Sequence, residues 1–530
     1  MKEIWKKIEN ESKITRQELI TFIVTTVAGI LMYYQMPDNW LTNPDTVWNS
    51  IYFRMGHGGE KNNGRILQIV VDKLRMNMVT PVLTTIFCIV ILAIIALLII
   101  RLFEIENVFA MILVGQIIVF VPCTSSALTY FYCSDSFVLA YLFAVIGAYI
   151  IWKYPSNYSY LISGGFFVCS MYLYQAYICV VFMIAVMKLI TEIFNVQDEI
   201  ISTYKLFIRY VVVCGISLAV YVVTLKILQI LLHIEMRTDR GFGFTNIFGK
   251  EGFISLIKDS YVNFYQYFWG NKLLNNEFGD RNIINMLVVI TGIALVVMLI
   301  VKKKIWKSAK LVVLTIIGIC VLPLAAEAIT IMSPAVDKYG TTGIIMVPTM
   351  AFVYILVIVL IDLYIKNDGK HWIKWVTYFV ISAFVWNSIV FTNLCINTMK
   401  LNLNKTETVA NLIVDNVLEQ YGYEKNQKLL IAGSMEDGNF PSLYDWPMEV
   451  IKGTSASYGF MWNTYTGNEE CWINFLKQYK GIQFESCNQQ EYEVLLDKQD
   501  YIDMPLFPNE GSVKMIEDVV VVKMSNVELE

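Results

Sequence analysis

The chain has 530 residues, of which 56% are hydrophobic and only 16% charged, with a formal net charge of −4. A mean hydropathy of +0.53 excludes an ordinary soluble globule, and no nucleic-acid partner is expected of so apolar a chain. Three scattered histidines and ten cysteines without a C-x-x-C pair give no metal signature, so neither a metal nor another cofactor is expected.

From the N-terminus, residues 1–16 (MKEIWKKIENESKITR) read as a short amphipathic segment. The apolar run that follows, 17–35, has no small-residue cleavage site, so it reads as an anchor rather than a removed signal. Ten further apolar runs lie near 79–101, 108–128, 135–152, 157–172, 174–194, 207–232, 283–301, 309–331, 344–365 and 373–394. About 20 residues cross the hydrocarbon core as a helix, so the chain reads as an α-helical polytopic membrane protein of about eleven spans. The pair 157–172 and 174–194 also fits one bent helix with a re-entrant piece.

Charge gives the orientation. With the N-terminus cytoplasmic, the even-numbered spans end inside at RLFEIEN, WKYPSN, KLITE, KKKIWKSAK and IKNDGKHWIKW. The segments richest in Lys and Arg then fall inside, as insertion requires. The long loops 36–78 and 233–282 and everything after 395 fall outside. The chain divides into residues 1–16, a membrane domain 17–395, and a tail 396–530 with 21 acidic against 10 basic residues. In that tail KLLIAGS and VVVVKMS read as strands and QEYEVLLDK as an amphipathic helix, a small external α/β domain of ordinary size. Cys471 and Cys487 lie in it and are expected to be reachable from outside, free or paired.

Polar groups crowd the outer end. The first loop reads LTNPDTVWNSIYFRMGHGGEKNNGR over 41–65 and carries Arg54, Lys61, Arg65, Lys73 and Arg75 against the insertion bias. Positive charge kept outside points to an anion bound there, and the planar fork of an arginine suits a phosphate. Asp45 follows Asn-Pro, where it could cap the next helix or serve as a base. Arg65, after Gly64, could grip a phosphate or only snorkel. Asp135 in FYCSDSF opens the fourth span, as a cap or a site residue. Tyr174 and Gln175 in MYLYQAY lie at an outer turn, and Glu327 in LPLAAEAITI is an ionisable group inside a span, where such residues face a bundle interior. The aromatic stretch DSYVNFYQYFWGN reads as an interfacial helix.

An Asp after the first span, Gly-Arg about twenty residues later, an aromatic-Cys-Ser-Asp opening a later span and then YQAY resembles the Gtr-type, GtrII-like bacterial glucosyltransferases over roughly residues 15–395. The tail resembles the external end of Gram-positive members. Relatives often carry two acidic residues together in the first loop; here Asp45 is the sole match, with Glu60 second. The resemblance implies a C-type glycosyltransferase fold and a hexose donor, glucose by family, carried on a polyprenyl phosphate. It implies an acceptor that is a surface polysaccharide or teichoic-type glycan, and inversion at the anomeric carbon. Asp45 would be the catalytic base, with Arg65 and Arg54 on the phosphate. Glu60, Asp135, Tyr174, Gln175 and Glu327 would line the site. Topology agrees: nucleotide sugars are cytoplasmic, so an enzyme whose roomy face is external needs a lipid-borne donor. A polysaccharide polymerase or ligase, or a flippase of a lipid-linked glycan, are the rivals. A flippase would place polar groups near mid-membrane and show internal repeats.

Overall fold

A computed structural model of the chain describes residues 13–51, 54–55, 59–195, 200–235, 252–270, 282–333, 344–367, 369–424, 427–442 and 470–527. Residues 1–12, most of 233–282 and the stretch around 443–469 therefore lie outside the described residues. Every apolar run of the sequence is helical. In chain order, α1 (Arg16–Tyr33) leads to a one-turn helix α2 (Pro44–Trp48), a two-residue hairpin of β1 (Ser50–Ile51) and β2 (Arg54–Met55), and α3 (Ile66–Leu74). Then come α4 (Pro81–Phe103), α5 (Val108–Phe120), α6 (Pro122–Ala127), α7 (Ser134–Lys153), α8 (Asn157–Leu173) and α9 (Ile178–Asn195). They are followed by α10 (Ile200–Leu232), α11 (Phe253–Trp269), α12 (Ile283–Lys302), α13 (Ala309–Ala326), α14 (Ala328–Met332), α15 (Met350–Lys366) and α16 (His371–Tyr421).

Among the described residues, eight helical stretches are long and apolar enough to cross a membrane, and the chain is a helical membrane protein. The other three runs, 108–128, 157–172 and 344–365, are helical but shorter. The first is broken in two because Pro122 forces Val121 to an extended ψ of 141°, the conformation a following proline favours. The runs 157–172 and 174–194 are two helices joined at Tyr174–Tyr177 rather than one bent helix. Gln175–Asn195 is the most enclosed stretch, at 83% buried, so it forms the centre of the bundle. α1 and α5 pack closely because Gly115 leaves room for Thr25; a Cβ there would lie 2.1 Å from the Thr25 hydroxyl.

The helix ends sort into two sets. At one, Glu18 pairs with Arg101, Lys153 with Glu104 at 2.6 Å, and Lys366 with Glu106 at 3.0 Å, while the Lys302 ammonium lies 5.0 Å from the Tyr364 ring. These are the ends of α4, α7, α12 and α15 and the start of α1. The opposite ends gather the first loop, the turns before α7 and α9, the end of α13 and the tail.

α16 has 51 residues, about 77 Å at 1.5 Å per residue, and runs through the composition change at 395 without a break. Its inward stripe continues as Leu403, Thr406, Ala410, Ile413 and Val417, so the last span and the tail share one rod. The tail sheet has the order β3 (Lys428–Ala432), β5 (Val519–Lys523), β4 (Val513–Ile516), with β3 parallel and β4 antiparallel to β5. Alternate residues of β5 serve opposite faces, as a period of two requires. Val520 and Val522 face the α16 side with α17 (Glu470–Phe475), while Val519 and Val521 pack with Tyr492 and Leu495 of α18 (Gln489–Leu496). Covered on both faces, the strand is apolar from Val519 to Val522, which is why VVVV reads as it does. Cys471 and Cys487 fall in these two separate cores, buried and unbridged. The expectation that either thiol is open to solvent is corrected by that packing.

Candidate active site at the loop-bearing end

The Asn-Pro-Asp-Thr turn is α2. Its cap is Asn43, not Asp45: the Asn43 side chain accepts from the Thr46 amide at 3.1 Å, and Pro44 takes the first helical position. Asn43 is itself anchored, its amide N–H donating to the Thr129 carbonyl at 3.2 Å and its Nδ2 to the Thr129 hydroxyl at 3.1 Å. Thr42 donates to the same carbonyl at 2.7 Å. Asp45 is thus relieved of capping duty and half-exposed on a turn fixed to the loop between α6 and α7.

Gly-Arg is set by a latch. Gly64 takes a φ of +71°, which favours glycine, and a Cβ there would lie 2.9 Å from the Tyr221 hydroxyl and 3.2 Å from Gln175 Nε2. Gln175 Nε2 donates to the Asn63 carbonyl at 2.6 Å and to the Tyr221 hydroxyl at 2.8 Å, and the Arg65 amide donates to the Glu60 carbonyl at 2.9 Å. Gln175 therefore positions the turn, and Tyr174 beside it receives the cation: the Arg65 guanidinium carbon lies 4.4 Å from the centre of the Tyr174 ring. Arg65 is only 8% exposed, has no carboxylate partner among the described residues, and its Nε finds no hydrogen-bond acceptor there.

Arg65 starts a stripe along α3 that sequence inspection passed over. Arg65, Gln68, Asp72 and Arg75 recur at three- and four-residue steps, so one helix face is polar. That face is the inward one: Gln68 and Asp72 are buried, while Val70 is 50% and Leu74 81% exposed. A helix that buries its polar face and offers its apolar one suits a membrane surface. The Gln68 carboxamide has no hydrogen-bond partner among the described residues. The spacing 65–68–72–75 was the available signal, and charge counting obscured it because Gln68 is neutral and Asp72 acidic.

Arg75 is not an alternative anion ligand. Its Nη2 meets Asp72 at 2.8 Å and donates to the Tyr132 carbonyl at 2.7 Å, and its Nε meets Asp135 at 2.8 Å. Asp135 is therefore the buried partner of Arg75; it stands within the first turn of α7, whose N-cap position is Cys133, and it also accepts from the Ser136 amide at 2.8 Å. Burial pushes the Asp72 carboxyl up to about 8, Arg75 opposes this, and the Glu60 and Asp135 carboxylates add to it. One guanidinium neutralises one carboxylate, so Asp72 keeps the proton near neutrality. Asp45 and Arg65 both act on the Tyr132 phenol: burial pushes it well above the usual range, the Asp45 carboxylate adds to this and Arg65 opposes it.

Glu327 belongs to a second polar group. It lies fully buried at the break between α13 and α14, below Pro323, and accepts from the Thr330 hydroxyl at 3.0 Å, to which Asn263 of α11 also donates at 3.1 Å. Residues 259–269 of the aromatic stretch are thus part of a helix packed on α13 and α14, with Tyr267 and Phe268 buried. The Arg54 side chain lies outside the described residues. No cluster of three or more His, Cys, Asp or Glu able to hold a metal occurs among the described residues.

Residues 49–350 match the model of the family described as glucosyl transferase GtrII. The chain belongs to that family. As a GtrII member it is a membrane glucosyltransferase. The matched residues contain Arg65, Gln68, Asp72, Arg75, Asp135, Tyr174, Gln175 and Glu327; the match begins four residues after Asp45 and ends before α16 and the tail. No curated protein and no solved structure matches the chain.

Proposed function

We propose that this GtrII protein transfers a hexose, glucose by family, from a polyprenyl-phosphate donor to a surface polysaccharide or teichoic-type glycan on the outer face of a bacterial cell membrane. In this reading the chain crosses eleven times, with its N-terminus cytoplasmic and the domain after α16 outside. The observation that supports it most is Arg65: a nearly buried guanidinium stacked on Tyr174 and without a carboxylate partner among the described residues, on a helix whose apolar face is turned outward. Such a cation suits the phosphate of a lipid headgroup.

Transfer would then run as a single displacement. The acceptor hydroxyl oxygen forms a bond to the anomeric carbon as the bond from that carbon to the phosphate oxygen breaks, inverting the configuration. Asp45 takes the hydroxyl proton, and Arg65, with Arg54 from the adjoining hairpin, stabilises the departing polyprenyl phosphate. A positioned base contributes about 10²–10⁴-fold, and fixed charge at the leaving group a comparable factor. Glu60, Asp135, Gln175 and Glu327 shape the surroundings in this scheme rather than exchange protons.

Surface glycan from strains with and without the protein tests it. Loss of one side-branch hexose is expected, restored by the parent and not by Asp45→Asn. An unchanged glycan alongside lipid-linked precursor held inside would make the protein a flippase instead.

A further inference from the structure

The domain after α16 sits on the turn that bears Asp45. Asn474 is buried, and its Nδ2 donates to the Val47 carbonyl at 3.1 Å and the Trp48 carbonyl at 3.3 Å. These are the last carbonyls of α2, which a one-turn helix cannot satisfy itself. On the same segment Cys471 Sγ lies 3.8 Å from the Pro44 carbonyl, and the Tyr479 hydroxyl donates to the Trp40 carbonyl at 2.9 Å. The other end of α2 is held by Thr129 through Asn43. Asp45 therefore stands on a five-residue helix clamped between the membrane domain and the tail.

We infer that Asn474 is a positioning residue for the transfer reaction: it fixes α2, and through it the Asp45 carboxylate, against the donor site at Arg65. The tail is then a working part of the active site, although it lies outside the residues the family model matches. This rests on the assignment of Asp45 as base. An unclamped α2 would keep its sequence and its carboxylate but lose its fixed place, and a displacement near 1 Å can cost about a hundredfold. Donor binding, which falls to Arg65 and Tyr174, would be untouched.

The test uses the full chain in membrane vesicles that carry the producing strain's own surface glycan, with labelled polyprenyl-phosphate glucose as donor. Asn474→Ala should lower the donor-saturated rate per folded enzyme about ten- to a hundredfold with the half-saturating donor concentration unchanged. Asn474→Gln, which retains a carboxamide donor, should recover part of it. Asn474→Ala combined with Asp45→Asn should be no slower than Asp45→Asn alone, because one residue acts through the other. A parental saturated rate in folded Asn474→Ala, or losses that multiply in the combined variant, would overturn the inference while leaving Asp45 as base. Asp45→Asn as active as the parent would remove the base assignment itself, and the positioning role with it.

Discussion

The Arg65 guanidinium rests on the face of Tyr174, 4.4 Å from the ring centre, and this stacking explains how a cation can be held nearly buried with no carboxylate partner among the described residues. The contact contributes roughly 0.5–2 kcal/mol, more when desolvated, and leaves the edge of the guanidinium available to a phosphate. Arg65→Lys keeps the charge but loses the planar fork, so donor use should weaken several-fold and survive. Arg65→Ala should raise the half-saturating donor concentration at least tenfold. Tyr174→Leu, which keeps bulk without the ring face, should fall between them. Kinetics with labelled polyprenyl-phosphate glucose in membrane vesicles decide it; parental behaviour in all three would leave Arg65 an interfacial cation.

Arg75, ten residues on and equally basic, should behave in the opposite way. It is bracketed by Asp72 and Asp135, so Arg75→Met leaves a buried carboxylate unpaired, a loss of about 3–5 kcal/mol. Low yield and a lower unfolding temperature in detergent are expected, with donor affinity of the surviving protein unchanged. Replacing Asp135 by Asn in the same chain should restore much of the stability. A selective donor-affinity loss in a stable Arg75→Met would show that the ion pair is only apparent.

Part of the arrangement of this candidate site is legible in the sequence. The Gly-Arg and YQAY motifs, 110 residues apart from Arg65 to Gln175, meet through Gly64 and Gln175, and the strands of the tail fall where the apolar runs place them. The cap at this turn is ambiguous in the sequence because Asn43, Asp45 and Thr46 are all good cap formers within one turn, and only the φ,ψ of Asn43 selects among them. The first-turn bond of Asp135 to the Ser136 amide is local and legible, whereas its ion-pair partner Arg75 lies 60 residues earlier on another element. The reach of the tail back to α2 joins residues more than 420 apart, and no local pattern encodes that.

Asp72 makes the first loop sensitive to alkali. Its carboxyl is pushed from the ordinary aspartate value of 3.8 up to about 8, chiefly by burial. Since the folded state holds this proton more tightly than the unfolded chain, the stability it confers is full below about pH 4. That stability falls as pH rises towards 8, by at most about 1.4 kcal/mol per pH unit for one proton. Asp72→Asn keeps the shape and removes the titration, so it should flatten the decline in unfolding temperature between pH 5 and 8. Identical profiles for parent and variant would assign the proton elsewhere in the set.

The placement of the tail can be read with a thiol reagent that does not cross membranes. Because Cys471 and Cys487 are buried, the parent should stay unlabelled at the tail on intact cells, and silence there says nothing about sidedness. Val494 on α18 is 54% exposed, so Val494→Cys provides a reporter without touching either core. With an odd number of crossings and a cytoplasmic N-terminus, this thiol should label at once on intact cells, while Cys471 and Cys487 label only after denaturation. A Val494→Cys protein that labels only once the membrane is opened would put the tail, α2 and Arg65 on the cytoplasmic side. Nucleotide sugars are available there, and the need for a lipid-borne donor would disappear. The same result would reverse the reading of the paired ends of α4, α7, α12 and α15, whose lysines would then face outward against the charge bias of insertion.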